Sequence, residues 1–170
     1  MDTKVIFTKK FNYITYGLMG LGVIGLAYGF LTDTHRTWAN LLLNNYYFLS
    51  LAIGAAFFFS LQYITQSGWS AMFRRIPEAL MAYIPYAAII MLVMFFGLHD
   101  IYHWSHEDAV AHDELLAHKS QYLNIPFFMI RVVIFFGSWV ILTRYLRKLS
   151  LQEDNLSGTA MFEKMEFWSK

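Results

Sequence analysis

The sequence contains no cysteine, so disulfides, thiolate zinc sites, iron–sulphur ligation and covalent c-type haem attachment have no ligand to draw on. Charge is scarce. Asp, Glu, Lys and Arg make up 15% of the chain, against about 25% in soluble domains. The 13 basic and 12 acidic residues nearly cancel, which leaves no concentrated basic surface for a nucleic acid. A membrane haem b needs histidines well inside spans, and only His99 touches the end of an apolar run. A phosphate-binding loop, a dinucleotide fingerprint and a nucleophile beside its base are all missing. The residues therefore give the chain no redox centre of its own.

What is present is apolar. Hydrophobic residues reach 57% and aromatic residues 19% of the 170 positions. No charged side chain occurs over 11–32, 37–73 or 79–98, and Arg131 is the only one over 120–143. About 20 predominantly apolar residues cross the roughly 30 Å hydrocarbon core as a helix, since backbone amides in lipid must bond within their own segment. The pattern predicts an all-α membrane protein, an up-down bundle of four transmembrane helices near 11–31, 45–65, 77–98 and 124–145. Residues 1–150 then form the bundle, and 151–170 form a cytoplasmic amphipathic tail or the lead-in to a further helix. The first run is longer than the apolar core of a signal peptide and lacks a small-x-small cleavage site, so it reads as an anchor that stays.

Basic residues in short loops set orientation. With the N-terminus in the cytosol, Lys4, Lys9, Lys10, Arg74, Arg75, Arg144, Arg147, Lys148, Lys164 and Lys170 lie inside, and only Arg36 and Lys119 lie outside. The expected topology is N-in, C-in. Trp38, Trp69, Trp104 and Trp139 fall near expected span ends, where amphipathic rings prefer to sit. Gly22, Gly25 and Gly29 recur at helical spacing in the first span and offer a face for close helix packing.

A few polar residues need an explanation. Arg131 lies seven residues after Asn124, about 10 Å into its helix. It either serves a quinone or proton site, or snorkels outward or neutralises a carboxylate on a neighbouring helix. Glu78 follows Pro77 at the mouth of the third span, where a first-turn carboxylate suits the helix dipole and could equally load protons from water. Pro85 is expected to kink that helix and free a carbonyl near Met81. The 99–123 loop gathers Asp100, Glu107, Asp108, Asp113 and Glu114 with His99, His103, His106, His112 and His118. Continued as a helix, it places His99, His103 and His106 on one face, a weak candidate for a metal. A solvated acidic surface for a partner, or a proton-exit surface using His99, His103 and Asp100, are the competing readings.

Three stretches, TQSGWSAMFRRIPEALMAYI from Thr65, YLNIPFFMIRVVIFFGSW from Tyr122 and RKLSLQED from Arg147, resemble the ActF-type membrane subunits of bacterial alternative complex III. These are polysulphide-reductase-like (NrfD-like) proteins. The resemblance implies a non-redox subunit of a quinol:cytochrome c (or quinol:oxidase) oxidoreductase in the bacterial inner membrane. It implies as partners a sister NrfD-like subunit, an iron–sulphur protein and cytochromes c that hold the haem c and iron–sulphur clusters, with lipid and a terminal oxidase beside them. Quinone or quinol is the one small molecule it brings near this chain, and it carries over no established catalytic residue. Family members have more than twice as many helices, in two bundles. The four spans here would be the first of these, and FEKMEFWSK resembles the lead-in to the next. The alternatives are a stand-alone transporter or metal-handling protein using the His-rich loop, and a pure membrane scaffold or assembly subunit.

Overall fold

The computed structural model describes residues 8–106, 110, 113–154 and 160–170, and every regular element among them is helical. Lys4, Glu107, Asp108 and His112 lie outside the described residues. Helix α1 (Lys9–Thr32) and α2 (Thr34–Ile64) are separated by Asp33 alone. A 3-10 turn follows over Gly68–Met72. The next stretch consists of α3 (Arg75–Met81), α4 (Ile84–Val93), a 3-10 turn and α5 (Leu98–Ile101). Beyond it come α6 (Glu114–Lys119), α7 (Ile125–Glu153) and α8 (Ala160–Ser169). Four helical stretches, 9–32, 34–64, 75–101 and 125–153, are long and apolar enough to cross a membrane.

The boundaries follow local chemistry. Asp33 is extended at φ −153° and accepts the Arg36 amide at 3.0 Å, a side-chain N-cap. That cap starts the second long helix at Thr34 rather than near the expected residue 45. Asn124 caps α7 in the same way through the Phe127 amide at 2.9 Å, and Pro126 takes the second helical position, where a missing donor is harmless. At the end of α2 the Ser67 amide reaches the Gln62 carbonyl and the Gln66 amide reaches Tyr63. This is a Schellman closure with Gln66 at φ 51° in the position usually given to glycine. Pro85 interrupts the third stretch as expected: α3 stops at Met81 and α4 begins at Ile84.

Three of the four long stretches pack together. Ala55, Phe59 and Tyr63 of α2, Met81, Leu146 and Leu149 of α7, and Met165 of α8 form one buried cluster. Ala87, Val132 and Phe136 form a second, bordered by Leu49, Met91, Phe95 and Trp139. The expected four-helix bundle is therefore a three-helix core with α1 beside it. No residue of α1 is buried, and its contacts with α2 gather at the hinge, where Gly29 meets Thr37 and Phe30 meets Trp38 edge-on at 4.9 Å. Of the expected glycine face only Gly29 makes a close approach; a Cβ on Gly22 or Gly25 would meet nothing within 4 Å. The close glycine packing instead falls at Gly97, where an added Cβ would sit 2.3 Å from the Trp38 ring. Helix α8 returns onto the core, its Trp168 ring edge-on to Tyr145 at 4.9 Å.

Candidate functional site

The end of the core built from α3 and the last turns of α2 and α7 carries a continuous ionic network. Glu78, in the first turn of α3, is 3% exposed. Its carboxylate accepts from Arg75 one turn earlier at 2.5 Å and from the hydroxyl of Ser150, itself fully buried on α7. Arg75 also donates to Ser150 at 3.2 Å and, from its other nitrogen, to Asp154. Arg74 pairs with Glu153 at 2.6 Å and with Asp154, and touches the Tyr63 hydroxyl at 3.3 Å. Tyr63 in turn donates to Glu153 at 3.0 Å. Burial works to lower the Arg74 pKa, but the Tyr63 hydroxyl and the Glu153 carboxylate outweigh it and hold the guanidinium above its ordinary value. A lone buried carboxylate is costly; here a guanidinium and a hydroxyl satisfy it, and Arg75 links it to the half-exposed Asp154. Glu78 is thus more than a dipole-stabilised first-turn residue.

Arg131 reaches back toward the start of its helix. Side chains on a helix lean toward its N-terminus, and the guanidinium lies 3.7 Å over the Tyr122 ring and 4.8 Å from the Phe127 ring. Its Nη1 is buried without a hydrogen-bond partner, and among the described residues it pairs with no carboxylate. The aromatic faces supply the compensation, as cation–π contacts do at desolvated sites.

The histidines do not share a continuous helix. Helix α5 ends at Ile101, and Tyr102 is extended before a 3-10 turn at His103–Ser105. The helical register assumed for His99, His103 and His106 is lost there. The rings still gather: His99 and His106 lie 5.3 Å apart, His103 and His106 lie 6.4 Å apart, and the His106 ring meets the His99 carbonyl at 2.9 Å. Among the described residues no group of three His, Asp or Glu side chains is placed to hold a metal ion. Asp100 pairs with His35 at 2.9 Å and ties the start of α2 to α5.

Two cavities adjoin these residues. One, about 270 Å³, lies between α4 and α7 and is lined by Glu78, Pro85, Tyr86, Thr143, Arg144 and Arg147. The other, about 540 Å³, is bounded by Leu42, Asn45, Tyr46, Met91, Tyr102 and Trp139. That volume and its apolar, aromatic wall with a few polar groups have the character of a small-molecule site. Asn45 is 3% exposed there; its amide donates to the Ala87 carbonyl at 3.3 Å and accepts from Tyr83 at 3.1 Å. Sequence reasoning passed over Asn45, Ser150, Glu153 and Asp154 as site residues. The available signal for Asn45 was a paired amide, Asn44–Asn45, inside a charge-free run; Ser150 carries no such signal, because its partner is 72 positions away. No known protein-family profile matches this chain, and no curated protein matches it significantly.

Proposed function

We propose that the chain is a non-redox, multi-pass subunit of a respiratory quinol-oxidising complex of the alternative complex III type, in the bacterial inner membrane with both described ends cytosolic. A sister NrfD-like subunit oxidises the quinol there, and an iron–sulphur protein and cytochromes c carry the electrons. This chain holds the membrane part together and serves quinone access and proton transfer. The observation that carries the reading is that the first and the last of the three stretches resembling that family meet in space. Arg74, Arg75 and Glu78 of the first bond Ser150, Glu153 and Asp154 of the last. In a chain otherwise poor in charge, two arginines and three carboxylates meet at this junction. Glu78 is the proton-loading carboxylate, and the Ser150 hydroxyl orients it. The larger cavity beside Asn45 offers a seat for the quinone ring.

The native protein, tagged and extracted in mild detergent, is expected to carry c-type haem absorbance through its partners; a haem-free preparation overturns the reading. Within the intact complex, Glu78→Gln is expected to slow quinol oxidation more than it lowers the yield of complex. Arg131→Leu is expected to impair oxidation or assembly, and full retention of both removes Arg131 from the site.

A further inference from the structure

We infer that the groove between α4 and α7 seats one anionic phospholipid, its phosphate held by Arg144 and Arg147 and an acyl chain lying along Ala88, Leu92, Gly137 and Ile141. This rests on the chain lying in a bilayer. The cavity of about 270 Å³ that contains the two arginines has a neighbour of about 300 Å³, lined only by apolar residues of α4 and α7. The α7 residues in the two cavities run Arg147, Arg144, Val140, Gly137 and Val133, steps of three or four that keep them on one helix face. On α4, Pro85, Ile89 and Leu92 do the same. The cavities are therefore two ends of one trough, basic at one end and oily along the rest.

Length and charge both fit the occupant. Fourteen residues separate Val133 from Arg147, about 21 Å of helix. Half the hydrocarbon core plus one headgroup layer spans about the same distance. Arg74 and Arg75 already hold two carboxylates each, whereas among the described residues no carboxylate pairs with Arg144 or Arg147. The one carboxylate in the trough, Glu78, is bound to Arg75 and Ser150. Two exposed guanidiniums without a protein anion match a phosphate, whose oxygens they can fork. The trough floor is open at Gly137, where a Cβ would meet nothing within 4 Å. A helix is about 10–12 Å wide, too broad to enter a space of about 300 Å³, so a slender chain is the better occupant.

The test titrates the delipidated protein, in neutral detergent, with phosphatidylglycerol or phosphatidylcholine of identical acyl chains, and counts bound lipids by native mass spectrometry. One phosphatidylglycerol is expected to be retained about tenfold more tightly than phosphatidylcholine. The Arg144→Gln/Arg147→Gln double variant is expected to bring that ratio below about twofold, and Gly137→Leu to weaken both lipids. Equal retention by the unmodified chain, or a preference that survives the double variant, overturns the assignment. So does full competition by glycerol phosphate, which would place the affinity in free phosphate. Should the variants fail to fold, a photoactivatable phosphatidylglycerol on the unmodified protein must label 88–92 or 137–141; labelling elsewhere, or a dimer cross-linked through Gly137, overturns it. Failure of the membrane reading looks different: the chain would then stay dispersed without detergent.

Discussion

At the basic end of the core Arg74 and Arg75 each lie against two carboxylates, and a fully buried serine completes the set. At the opposite end Asp100 pairs with a histidine, His35, which is 77% exposed, and His106 meets His99 and His103 ring to ring. Both ends are polar caps on apolar helices, but only the first joins three helices, through a buried carboxylate and serine set among partly exposed ion pairs. Between helices in lipid there is little hydrophobic driving force, so packing and buried hydrogen bonds decide association. The basic end should therefore hold the core together, while the histidine end should contribute little to it.

The largest effect expected from breaking this contrast is at Glu78. Glu78→Ala leaves Ser150 and part of Arg75 without their partner and should cost about 2–4 kcal/mol. Asp100→Ala, an exposed pair, should cost about 0.5 kcal/mol or less. Both are read from SDS-driven unfolding followed by far-UV circular dichroism, and equal losses would erase the distinction. The glycines come next. Gly97→Ala forces a methyl into the Trp38 ring and should cost about 1–3 kcal/mol in the same assay. Gly25→Ala, in open space, should be neutral or slightly stabilising in the isolated chain; a loss seen only in the assembled complex would show that a partner helix covers α1.

The smallest effect concerns α8. The hydrogen bond and charge of Lys170 lower the Glu166 pKa below its ordinary 4.5, with Gln66 adding a weaker contact at 3.4 Å. A carboxylate whose folded pKa is depressed stabilises the fold above its unfolded value and loses that contribution as pH falls through the lowered one. The helical signal of α8 should be slightly higher above the ordinary glutamate range than below it, read by circular dichroism. Glu166→Gln should remove that pH dependence.

Much of the frame was legible from residues alone because a long apolar helix leaves a charge-poor run in the sequence. Three charge-free runs and a fourth broken only by Arg131 marked the four long helices, and Pro85 marked the break in the third. The start of α2 was misjudged by about three turns, since a single capping aspartate replaces the expected loop. Gly22 and Gly25 looked like a packing face by spacing, but spacing says nothing of whether a neighbour is there. Arg131 offered several outcomes from its depth; Tyr122, nine positions earlier, settled its direction.

By itself the sequence determined that this is a helical chain with four runs fit for a membrane. It also determined that no cysteine chemistry is open to it, because both properties are sums over local composition. Only the tertiary structure decided that Glu78 would be buried and bonded rather than wet, that α1 would stand apart, and that Arg144 and Arg147 would face a trough while Arg74 and Arg75 were neutralised. Those outcomes depend on which of several equivalent polar groups lands opposite another after the helices pack, and that pairing is set by contacts seventy to eighty residues apart.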